Sequence, residues 1–89
     1  MKFSILAGPH HALVDLETDG KGKFSGSVES SEFGNGAIGG AVTGDHYTGS
    51  ILLDGHTAKF AADISSGAIT GTITAGWFFS LDFKGRETI

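Results

Sequence analysis

The feature that most constrains this chain is a period of two, broken at short intervals by turn residues. His11–Glu17 puts Ala12, Val14 and Leu16 on one face. His56–Ile64 puts Ala58, Phe60, Ala62 and Ile64 on one face and Thr57, Lys59, Ala61 and Asp63 on the other. Phe79, Leu81 and Phe83 alternate with Ser80, Asp82 and Lys84. Side chains of a strand alternate between its two faces, so this is the pattern of half-buried antiparallel strands. Turn signals recur about every 11 residues: Gly8-Pro9-His10, Asp19–Gly22, Ser31–Gly36, Thr43-Gly44-Asp45, Asp54-Gly55, Ser65-Ser66-Gly67 and Ala75-Gly76. Nothing between them has the length and 3.6-residue stripe of a helix. The prediction is one all-β domain over residues 1–89, an eight-stranded up-and-down antiparallel meander. Its strands are expected at Lys2–Leu6, His11–Glu17, Lys23–Glu29, Ala37–Val42, His46–Leu53, His56–Ile64, Ala68–Thr74 and Phe78–Lys84.

An internal repeat says how the meander ends. Phe24-Ser25-Gly26-Ser27-Val28, Tyr47-Thr48-Gly49-Ser50-Ile51 and Ile69-Thr70-Gly71-Thr72-Ile73 share one order: apolar, hydroxyl, glycine, hydroxyl, β-branched. Ile38-Gly39-Gly40-Ala41-Val42 is a looser fourth copy. The central glycine falls on the inward face each time. Inward strand glycines mark sharp bends or close backbone approach, which a short sheet needs in order to curl shut. A closed or nearly closed barrel is therefore expected; an open sheet pairing with a second copy is the alternative. Phe24, Tyr47, Phe60, Phe79 and Phe83 are the large inward residues, and they either fill such a barrel or leave a cavity among them.

Thr18–Ser30, followed by Phe33-Gly34-Asn35, resembles the early hairpins of avidin/streptavidin-type (calycin-like) barrels, and Gly67–Ile73 is similar. Over most of its length the chain resembles short glycine-rich modules of uncharacterised bacterial proteins more closely. Those repeat an Asp-Gly hairpin and end in a Gly-x-Phe loop. Both resemblances imply a small barrel. Biotin barrels wall their ligand with several tryptophans; this shorter chain has Trp77 alone, so biotin binding is not implied.

Composition excludes several classes. The chain has no cysteine, hence no disulfide framework and no thiolate metal site. A net charge of −4 with scattered Lys and Arg opposes nucleic-acid binding, which needs a basic patch. No run is apolar enough for a membrane-spanning helix. The apolar stretch before Gly8 is too short for a signal peptide, so a cytoplasmic location is expected. No nucleophile elbow, paired carboxylates or phosphate loop occurs, and an enzyme is not expected. Ser31, His56 and Asp54 form a conceivable triad that nothing specific favours. His10, His11 and His56 with Glu32 or Asp54 form a conceivable metal set, but the spacing matches no metal motif, and no metal or cofactor is expected.

A meander stacks alternate loops at one end. The end holding the loops after the first, third, fifth and seventh strands, here end A, collects three of the four histidines and Trp77. End B collects wet turns of Gly, Asp, Ser, Thr and Lys. A binding surface is expected at end A, built from His10, His11, Phe33, Asn35, His56 and Trp77, because loops at a barrel mouth carry specificity. The leading functional expectation is a non-enzymatic protein-interaction or self-association module, possible as a homodimer through outward Leu13, Leu52, Ala61 and Phe78. The alternative is a barrel that binds a small apolar ligand, with its mouth at end A.

Overall fold

A computed structural model describes residues 1–32, 34–53, 55–75 and 79–88. The strands are β1 (Lys2–Ala7), β2 (His10–Thr18), β3 (Lys23–Ser30), β4 (Gly34–Thr43), β5 (His46–Leu53), β6 (His56–Ser65), β7 (Ala68–Ala75) and β8 (Phe79–Glu87). Each pairs antiparallel with the next, and β8 pairs back onto β1, closing the barrel. The predicted alternation holds: Phe60, Ala62 and Ile64 are buried on β6, while Thr57, Lys59, Ala61 and Asp63 are exposed. Followed from partner to partner around the barrel, the register returns to β1 displaced by about ten residues, a stagger that tilts eight strands by roughly 35–45° to the axis. An eight-stranded barrel is just wide enough to be filled by side chains or to hold one small ligand.

The repeat glycines do what their position predicts. A Cβ on Gly26 would stand 1.8 Å from the Asp15 carbonyl oxygen, on Gly49 2.0 Å from that of Gly39, and on Gly71 2.2 Å from that of Ala61. At these points the neighbouring strand is folded in against bare Cα. Gly36 and Gly85, outside the repeat, are equally close to the carbonyls of Leu52 and Ser4.

Two expectations are corrected. Several strands run longer than the alternation implied. β4 starts at Gly34 rather than Ala37, so Asn35 lies in a strand opposite Glu29 and not in a loop. Backbone pairing needs no apolar side chain to continue, and the side-chain pattern therefore ends before the ladder does. Phe79, inward by parity, is 49% exposed. It stands at the end A terminus of β8, beyond Lys84, the last β8 residue paired with β1, so no β1 strand covers it.

The β2–β3 turn at end B is built on one carboxylate. Asp19 Oδ1 accepts the backbone N–H of Lys21 at 2.6 Å and of Lys23 at 3.1 Å. These two bonds, Lys21 first, hold the Asp19 carboxyl below its ordinary pKa. A depressed folded-state pKa gives stability that is present above the unfolded value and lost as pH falls through the folded one. Thermal melts of Asp19→Ala should therefore lie below those of the parent at neutral pH, with the gap closing under acid conditions below the ordinary aspartate range. A gap independent of pH would show that the charge plays no part.

Candidate functional site

The interior divides along its axis. Toward end B it is plugged by large side chains. Phe24 meets Tyr47 edge to face with centroids 5.2 Å apart and Phe60 at 5.6 Å. Phe3 and Leu16, each 1% exposed, complete the plug. Toward end A the inward positions carry smaller groups: Ala7, Ala12, Val28, Ile38, Ile51 and Leu53. They are too short to meet across the barrel. A cavity of about 100 Å³ is left, also bounded by Ile73, Leu81, Phe60 and Phe83.

Its wall is almost entirely hydrocarbon. The buried polar side chain there is Ser30, 9% exposed. Ser30 Oγ accepts the Glu32 N–H at 3.3 Å and donates to the His11 carbonyl at 3.5 Å. A wall this apolar offers water few hydrogen-bond partners and suits a small apolar molecule better.

The sequence-predicted residues separate here. His10 lines the cavity, and its Nδ1 donates to Glu32 Oε2 at 2.5 Å across to the β3–β4 loop. His11 also contributes to the wall, but its Nε2 shares a 2.7 Å hydrogen bond with Ser4 Oγ at the outer surface. Asn35 is exposed on β4 and does not line the cavity. His56 opens β6 opposite Leu53, exposed and likewise outside the lining. Phe33 and Trp77 lie outside the described residues, as does Asp54 of the conceivable metal and triad sets. The fourth histidine, His46, pairs with Asp63 at end B. Among the described residues no three His, Asp or Glu side chains gather to hold a metal ion.

Sequence reasoning weighted the loops and missed the wall: Ala7, Val28, Ser30, Leu53 and Leu81. A signal was present. Phe3, Phe24 and Tyr47 all sit at the end B ends of β1, β3 and β5, whereas the inward residues at the end A ends of those three strands are Ala7, Ser30 and Leu53.

The fold and this space together define a small, closed, antiparallel β-barrel with an apolar internal cavity. No family model matches the chain, and no curated protein or solved structure matches it.

Proposed function

We propose that the barrel binds a small apolar molecule in its end A half. The observation that supports this is the uneven filling of one interior: an aromatic plug at end B, and at end A a hydrocarbon-lined void. Cores ordinarily pack to crystal-like density, and a void forfeits contacts along its whole wall. A ligand of about six heavy atoms would restore them. Self-association, the leading expectation from sequence, has less to work with. Leu13 and Leu52, 46% and 51% exposed, stand on β2 and β5, three strands apart around a closed barrel; Ala61 is exposed on β6 beside β5, and Phe78 lies outside the described residues.

Benzene titrated into the labelled protein should shift the methyl resonances of Val28, Ile38, Ile51, Leu53 and Ile73, with a Kd between roughly millimolar and micromolar for so few atoms. Methyls at the plug end, such as those of Val42, should move little. Val28→Phe, which grows into the void from β3, should abolish the shifts and keep the fold. Methyl resonances that stay put at saturating benzene would overturn the reading.

A further inference from the structure

The four inward positions of β2, His10, Ala12, Val14 and Leu16, all reach the cavity. They measure its depth. His10 to Val14 is roughly 13 Å of strand at 3.3 Å per residue, or about 10 Å along the axis once the strand tilt is taken out. A void of about 100 Å³ drawn out over that depth is a narrow well. Its shape suits an extended chain better than a compact molecule of the same volume.

The well is closed at one end and wet at the other. Leu16, Phe60 and Ile69, at its floor against the plug, are buried. Ala12, Leu53, Ile73 and Leu81 point inward by alternation and are nonetheless only half-buried, so solvent reaches them from end A. The polar residues of the wall, His10, His11 and Ser30, all stand in this upper part; below them every lining residue is hydrocarbon. A molecule that fits both halves is apolar along its length and polar at one tip.

Charge decides what the tip can be. The six Lys and Arg residues of the chain stand away from the mouth: Lys2, Lys21 and Lys23 at end B, and Lys59, Lys84 and Arg86 on the outer face. The charged group held beside His10 is a carboxylate, Glu32. An anionic head group would therefore give up water next to a like charge, with no cation to replace it. An uncharged head keeps its hydrogen bonds to solvent at the rim and meets no such penalty.

We infer that the ligand is a short straight aliphatic chain with an uncharged polar end, in its simplest form a primary alcohol, seated tail-first with its hydroxyl at the His10 rim. This assignment rests on the proposed function and adds to it the chain's shape, direction and head group.

Titrations followed by methyl resonances at pH 8 test it. From 1-propanol to 1-hexanol the Kd should tighten about fourfold with each methylene that enters the well. Hexanoate should bind at least about tenfold more weakly than 1-hexanol. Intermolecular contacts should run from the terminal methyl of 1-hexanol to Ile69 and Val14, and from its carbinol methylene to Leu53 and Leu81. Glu32→Lys, which puts a cation at the mouth, should tighten hexanoate at least about fivefold. A Kd indifferent to chain length, contacts in the reverse order, or hexanoate as tight as 1-hexanol would overturn the assignment. So would a Glu32→Lys protein that binds 1-hexanol but holds hexanoate no tighter than the parent does. If benzene shifts the cavity methyls and 1-hexanol does not, the assignment fails and the proposed function stands; if neither shifts them, both fail.

Discussion

Gly26→Ala is expected to cost about 3 kcal/mol or more, a large part of the roughly 5–10 kcal/mol that holds a domain of this size together. One methyl group does this because there is nowhere to put it. At 1.8 Å from the Asp15 carbonyl oxygen and 2.9 Å from its carbon, the new Cβ meets backbone, which no rotamer change relieves. The β2–β3 seam has to part or uncurl, and in a closed barrel that displacement passes to the other strands. Gly39→Ala is the matched comparison. Gly39 is on the same sheet and has no positive φ, but it points outward, and its nearest neighbour, the Phe24 carbonyl oxygen, is 3.3 Å from the added Cβ. A shift of a few tenths of an ångström suffices, so the change should stay within about 1 kcal/mol. Urea unfolding of both variants decides the matter. Similar midpoints would mean that the inward glycines are ordinary strand residues and that curvature comes from elsewhere.

Phe24→Ala should rank beside it, at about 3–5 kcal/mol. The ring is 5% exposed and is the common partner of Tyr47 and Phe60, so its removal takes away both edge-to-face contacts and leaves a hole at the plug. Phe79→Ala deletes the same ring from a half-exposed rim and should cost about 1 kcal/mol or less. Calorimetric melts of the pair separate a structural plug from generic aromatic content. In Phe24→Ala the void should also extend toward end B, so the variant should accept probes longer than benzene. A Phe24→Ala protein that melts with the parent would remove the plug from the description of the core.

The contrast between these positions shows what could be read from the chain and what could not. Alternation and turn chemistry are local, so the eight strands and their order were legible in residues such as Ala58–Ile64 and in the repeat around Gly26, Gly49 and Gly71. Register and closure are not local. Lys84 meets Leu6 across nearly the whole chain, and no neighbouring residue announces that pairing. Asn35 and Phe79 were misplaced for this reason: whether a rim residue is covered depends on how far the opposite strand reaches. The cavity lies further still from sequence patterns, because it is a difference between volumes contributed by eight separate strands. Ser30 lay one residue beyond the expected end of its strand, on the inward face it shares with Phe24 and Val28. It is buried because its strand runs one residue longer, which brings it against the His11 carbonyl.

The β1–β8 seam is the barrel's shortest ladder, with four partner pairs, and it joins the residues most distant in the chain. Hairpins need only a few residues of chain to close, whereas this seam needs about eighty, and loop-closure entropy grows with that length. Loop-closure entropy therefore makes this seam the costliest ladder to close, and it is expected to form last. Until it does, the molecule is a curled sheet with two bare edges, Lys2–Ala7 and Phe79–Glu87, each able to pair with the complementary edge of another chain. Lys84, Arg86 and Glu87 put charge on one of those edges, and the same three residues lie along the finished seam. The chain's greatest exposure to intermolecular pairing thus falls before closure, and ring closure reduces it by pairing the two edges over Phe3–Leu6, leaving Phe79–Phe83 of β8 without a β1 partner.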